Sequence, residues 1–193
     1  MKTNLLLLPV LAFALCARGT SANADAEPSM RGTTTEIEVG QIAPSIDIVD
    51  ATGEPRRLAD LRGKSSLLLT FFPKCFTGNC TNQVVSLRDS YAELRKLDVE
   101  VWAVSTDSAE GDDGQRAFAE RYQLPFALLP DTQRDICMAY GAVQSKAQRA
   151  ARMSVLIDKA GKIVWIDKQI NPLTHGADVL KRLKDKSAEI NEG

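Results

Sequence analysis

The chemistry of this chain gathers in eight residues, Pro73-Lys74-Cys75-Phe76-Thr77-Gly78-Asn79-Cys80. They follow an apolar run, residues 67–72, and precede a segment with helical periodicity. Cys80 therefore falls on the first turn of a helix, where unpaired backbone N–H groups and the positive end of the helix dipole favour an anion. A thiol in such a setting ionises more readily, and the thiolate is the reactive form. Thr77 brings a hydroxyl within reach of the sulfur or of an incoming oxygen, and Pro73 closes the strand and can shield the pocket. Taken alone, a cysteine at a helix start is as well explained as a small core residue. Proline, threonine, strand and helix in one register argue for a nucleophile.

Arg152 is the second candidate. A guanidinium stays charged, stabilises a nearby thiolate and donates several directed hydrogen bonds. This one directly precedes an apolar run, residues 153–157, that reads as a buried strand, where an arginine needs a partner. Two further thiols and one imidazole complete the reactive inventory. Cys75 lies five residues before Cys80. Cys137 falls inside a predicted helix beside Ile136 and Met138 and reads as a small buried residue. His175, the single histidine, precedes Gly176 at a helix start and reads as a cap or packing group.

The first residues read as an address. Lys2 gives a weak positive region, residues 5–15 are apolar, and Ala22-Asn23-Ala24 offers a cleavage site before Asp25. Residues 1–24 are thus an expected signal peptide, implying a periplasmic or secreted protein. The apolar run is short for a membrane span, so no stable membrane contact is expected after cleavage. Cys16 invites a lipoprotein reading, but Leu15 is bulky where lipoproteins carry a small residue. Loss of Lys2 and Arg18 takes the basic count from 24 to 22 against 25 acids, a net charge of −3. No basic face is implied, and nucleic acid is not an expected partner. Residues 25–38 read as a flexible leader and 39–193 as one domain. Cleavage would leave three cysteines, and an odd count in an exported chain does not suit a purely structural disulfide framework.

Along the domain, residues 42–49 are extended and 50–54 form a turn. Residues 67–72, apolar on both alternating sets, read as a central strand. Residues 80–97 repeat apolar positions at helical spacing. The pattern then predicts a strand at 99–104, an acidic loop at 107–114 and a helix at 115–122. A short strand at 126–129 follows, then a helix from Asp131 or Thr132 to Tyr140 with Gly141 as its stop. A hairpin spans 153–158 and 163–167, and a terminal helix spans 176–186. This order points to an α/β domain with a mixed sheet flanked by helices.

Pro-x-x-x-Thr-x-x-Cys, with Gly40-Gln41-Ile42-Ala43-Pro44 before it and Val104-Ser105-Thr106-Asp107-Ser108 and Arg152-Met153-Ser154 after it, resembles the peroxiredoxin family. The likeness covers residues 39–184 and is of the bacterioferritin-comigratory, or peroxiredoxin Q, type. It implies a thioredoxin-like fold and an antioxidant, thiol-dependent peroxidase that needs no cofactor. It also implies a hydroperoxide substrate, a thioredoxin-like or small-thiol reductant, and a monomer or dimer. Carried over by position, Cys80 is the peroxidatic nucleophile and Thr77 holds the peroxide oxygen. Pro73 shields the pocket, and Arg152 steadies the thiolate and polarises the peroxide.

Three positions depart from that type. Cys75 stands where an acidic residue is common, Gln83 where a glutamate is common, and Val85 where many members have a second cysteine. Resolution of an oxidised Cys80 is therefore open between Cys75, Cys137 and an external thiol. A five-residue span can hold two Cα atoms about 16 Å apart, whereas a disulfide needs roughly 4.4–6.8 Å, so a Cys75–Cys80 bridge demands a folded-back loop or an unwound first turn. Two rivals remain. A thiol–disulfide oxidoreductase would ordinarily show Cys-x-x-Cys, and here four residues intervene. A Cu(I) protein could use Cys75, Cys80 and His175 as soft ligands, which leaves Thr77 and Arg152 unexplained.

Overall fold

The computed structural model describes residues 36–191, with side chains as far as residue 186. The expected signal peptide, its cleavage site, Cys16 and nearly all of the leader lie outside the described residues. A small antiparallel hairpin, β1 (Asp47–Val49) and β2 (Pro55–Arg57), leads through one 3-10 turn to β3 (Ser66–Phe71). There follow α1 (Gly78–Lys96), β4 (Val99–Ser105), α2 (Gln115–Tyr122), β5 (Ala127–Pro130), α3 (Asp135–Ala139), β6 (Met153–Ile157), β7 (Ile163–Asp167) and α4 (His175–Asn191).

The main sheet runs β5-β4-β3-β6-β7. β3, β4 and β5 are parallel, while β6 lies antiparallel to β3 and β7 antiparallel to β6. β3 takes the centre because both of its faces are apolar. Leu67, Leu69 and Phe71 enter one core, and Leu68 and Phe72 enter the other. The first core is closed by α3 and by Ile37, Ala43, Ile46 and Leu58. The second is closed by α1, α2 and α4 through Val84, Leu87, Phe118 and Val179. This is the thioredoxin-like α/β arrangement, with a mixed sheet flanked by helices.

Several boundaries differ from the sequence reading. Core packing already begins at Ile37, 5% exposed, inside the expected leader. α3 starts at Asp135, because Arg134 adopts a left-handed conformation (φ 64°) and Asp131 turns its carboxylate onto the Cys137 N–H, 2.7 Å away. β5 lies one residue later than predicted, since Ala127–Pro130 are the residues that pair with β4. α4 runs from His175 to Asn191, longer at both ends than 176–186.

Candidate active site

β3 delivers the chain to the site. It ends at Phe71, Pro73 follows half-buried, and the loop turns through Phe76 into α1. Cys80 is the third residue of that 19-residue helix and is 2% exposed. Thr77 is the residue before the helix, in an extended conformation (φ −92°, ψ 144°), and makes no side-chain cap. Its hydroxyl donates instead to the Lys74 carbonyl, 3.0 Å away. With its one proton committed, the Thr77 oxygen is left as an acceptor at the exposed mouth of the loop.

The residue just before β6 supplies the cation. The pairing of β6 with β3 sets Phe71 opposite Met153, so Arg152 stands beside the point where β3 gives way to the active loop. Alternation along β6 turns Met153 and Val155 into one core and Leu156 into the other, and Arg152 shares the second face with Cys80 and α1. Its Nη2 lies 3.5 Å from Cys80 Sγ. Its Nη1 donates to the Asn79 carbonyl at 3.3 Å and to Gln83 Oε1. Gln83 is wholly buried one helical turn beyond Cys80, and its Nε2 donates to Thr70 Oγ1 at 2.8 Å and to the Phe71 carbonyl at 3.3 Å. Two acceptors on α1 thus hold Nη1 while Nη2 meets the sulfur. Such a cation can balance a thiolate and then take up charge on a departing oxygen.

The other thiols have different surroundings. Among the described residues Cys75, Cys80 and Cys137 are all unbridged and buried. Cys75 shares the Cys80 core, and its backbone N–H donates to Asp107 Oδ2 at 2.6 Å. The same oxygen accepts from Ser105 Oγ at 2.9 Å. Burial, then the Asp107 carboxylate, then the nearby Cys80 push the Cys75 thiol far up, so it rests protonated. Phe76 between them is left-handed (φ 58°) and packs edge-on against Phe118, ring centres 4.9 Å apart. Cys137 lies in the opposite core, across the sheet from Cys80, and its thiol is likewise pushed up by burial and by Asp131.

The copper set does not assemble. His175 Nε2 is engaged with Ser154 Oγ at 3.1 Å, and the described residues hold no cluster of three or more His, Cys, Asp or Glu able to ligate a metal. Of the predicted site residues, Cys80 and Arg152 are in contact, while Thr77 and Pro73 stand on the loop that leads into α1. Sequence reasoning gave no role to Gln83, although its position three residues after Cys80 puts both on one helix face. It also passed over Asp107, whose contact with Cys75 spans 32 residues and leaves no local signal.

The sequence matches the AhpC/TSA family over residues 39–166. It is 33% identical over 157 residues to "Peroxiredoxin Bcp" of Bacillus subtilis, covering 78% of this chain and 98% of that protein. Against "Peroxiredoxin Bcp" of Escherichia coli it is 35% identical over 155 residues, covering 77% and 97%. The crystal structure of peroxidoxin BcpB from Mycobacterium tuberculosis superposes with a TM-score of 0.70 at 25% identity, covering 78% of this chain and 98% of that one. These matches show that the chain belongs to the AhpC/TSA family of peroxiredoxins.

Proposed function

We propose that this thiol-dependent peroxidase reduces hydrogen peroxide or alkyl hydroperoxides at Cys80. The Cys80 thiolate attacks one peroxide oxygen and the O–O bond breaks. Sulfur loses two electrons and becomes a sulfenic acid, while the other oxygen gains a proton and leaves as water or an alcohol. Arg152 balances the thiolate and then the leaving oxygen, Thr77 accepts from the peroxide O–H, and Pro73 limits water. The observation that carries this reading is the Arg152 Nη2–Cys80 Sγ contact of 3.5 Å on the first turn of α1. Peroxide loss measured with a thiol reductant tests it: wild type turns over and Cys80→Ser does not. Equal turnover in the two sinks the assignment.

For resolution, Cys75 is the internal partner favoured by its place in the same core. Its thiol attacks the sulfenic sulfur, a disulfide forms and water leaves. A thioredoxin-like protein or small thiol then reduces the bridge. The loop must open first, because Asp107 pins the Cys75 backbone and the first turn of α1 fixes Cys80. One equivalent of peroxide followed by thiol trapping and peptide mapping decides the route. A Cys75–Cys80 crosslink supports it, and a Cys80 sulfenic acid beside an alkylated Cys75 assigns resolution to an external thiol. Export completes the proposal: residues 1–24 act as a signal peptide and the enzyme works in a periplasm or outside the cell. Protein recovered there should begin at Asp25. Recovery of the intact chain from the cytoplasm alone would refute export.

A further inference from the structure

Behind Arg152 the fold buries polar side chains in otherwise apolar strands. Thr70 and Ser154 are fully buried at directly paired positions of β3 and β6. Their hydroxyl oxygens lie 2.8 Å apart, and Ser154 Oγ also lies 3.1 Å from His175 Nε2. Thr70 Oγ1 accepts from Gln83 Nε2, and Gln83 Oε1 accepts from Arg152. An unbroken hydrogen-bonded chain therefore runs from His175 to the guanidinium that touches Cys80.

The chain is anchored at both ends. A guanidinium only donates, so Gln83 must offer Arg152 its oxygen and Thr70 its amide nitrogen. Each buried group then constrains the next, because an unpaired one is costly at low dielectric. At the far end, α4 begins in close contact with α1. A Cβ on Gly176 would lie 2.1 Å from the Ser86 carbonyl oxygen and 2.4 Å from Ser90 Oγ. The Gly176 N–H donates to Ser86 Oγ at 2.9 Å. Only glycine permits that approach, and it seats His175, 2% exposed, against Ser154.

We propose that His175 is a positioning residue for the Cys80 reaction, acting through Ser154, Thr70 and Gln83 to hold the Arg152 guanidinium against the sulfur. Burial keeps the imidazole neutral, its pKa pushed down to about 4, so it serves as a fixed hydrogen-bond partner and brings no second positive charge to the site. No proton travels along the chain. Its effect is to lock the Gln83 rotamer, and with it the angle at which Arg152 meets Cys80. The rate effect rests on the peroxidase reading above; the effect on thiol reactivity does not.

The test is the pH profile of Cys80 alkylation by iodoacetamide in the full-length protein, followed by peptide mass, together with the rate of reaction with hydrogen peroxide. Ser154→Ala and His175→Leu cut the chain, and His175→Gln offers an amide near the position of Nε2. Each cut should slow both reactions about tenfold at neutral pH, the worth of one buried hydrogen bond, and should move the alkylation profile to higher pH. His175→Gln should recover most of the loss. Folded Ser154→Ala and His175→Leu proteins with wild-type profiles would overturn the proposal, as would a His175→Gln variant no better than His175→Leu. Should His175→Leu fail to fold, Ser154→Ala decides alone. Slowed alkylation in a protein that proves inert to peroxide would remove the peroxidase reading and leave the positioning role standing.

Discussion

Cys80 and Cys137 are alike in residue type and in burial, and both lie on helices packed against the same sheet. They differ in which face they occupy and in what meets the sulfur. Cys80 opens a 19-residue helix and has the Arg152 guanidinium at 3.5 Å. Cys137 lies in a five-residue helix among Ile136, Tyr140 and Val143, with the Asp131 carboxylate nearby. Removal from water alone disfavours a thiolate, and a neighbouring anion disfavours it further. A cation that is itself held by buried partners does the opposite. The two sulfurs thus differ in the charge buried beside them, a cation at Cys80 and an anion at Cys137.

The hardest test of this contrast is to remove each sulfur in turn. Cys80→Ser should lower peroxide turnover by more than about a thousandfold, since no nucleophile remains. Cys137→Ala should leave turnover within about twofold and cost only about 1 kcal/mol of stability, from a small cavity. Peroxide consumption and denaturant unfolding measure the two effects. A Cys137→Ala protein as impaired as Cys80→Ser would erase the distinction between the faces.

The next test moves the charge and keeps the sulfur. Arg152→Ala should slow peroxide reduction by several hundredfold, about 3.5 kcal/mol, as for other losses of a preorganised donor at a reacting oxygen. Arg152→Lys should fall between, because one ammonium cannot serve Cys80, Asn79 and Gln83 with the fork of a guanidinium. Cys137 alkylation in the unfolded protein should be the same in all three. Unchanged peroxide kinetics in Arg152→Ala would mean that the helix terminus suffices for Cys80.

Much of the Cys80 face was readable before the fold was known. Leu67 to Phe72 announced a strand buried on both sides, and the residues after it announced a helix. Arg152 could be placed because it directly precedes an apolar run, and strand alternation then gives it the face of Ser154 and Leu156. What stayed hidden depends on pairing across long gaps. Nothing local shows that Ser154 stands opposite Thr70, or that His175 closes on Ser154, since those positions come from the β3–β6 register and from α4 docking on α1. Gln83 was visible only as a departure, because its value lies in Thr70 on β3 and in Arg152 just before β6. On the Cys137 face the start of α3 was misread because Asp131 caps from a distance, onto the third residue of the helix, and a left-handed Arg134 intervenes.

Acid should separate the two faces with the smallest of these effects. His175 packs on the Cys80 side, and its pKa is lowered from 6.5 to about 4. Burial is the main cause. Arg152 adds to the lowering, while the Asp167 and Asp178 carboxylates work against it. A lowered histidine favours the folded state where it is neutral in both states, above about pH 6.5. As the pH falls from there towards 4, the unfolded chain takes up a proton that the folded chain refuses, and stability drops by at most about 3 kcal/mol. Below about 4 both states are protonated and this loss levels off. Asp50 acts in a different window. Burial works to raise it, but hydrogen bonds from Thr52, Arg56 and Glu54 outweigh burial and hold it below 3.8, so its contribution persists until the pH falls through that lower value. Denaturant unfolding at pH 6.5 and 4.5 should therefore show a loss in wild type that His175→Gln largely removes. Hydrogen exchange at pH 4.5 should quicken first at the start of α4 and the first turn of α1, ahead of α3. An acid loss that survives intact in His175→Gln would move the sensitivity away from the Cys80 face and break the comparison.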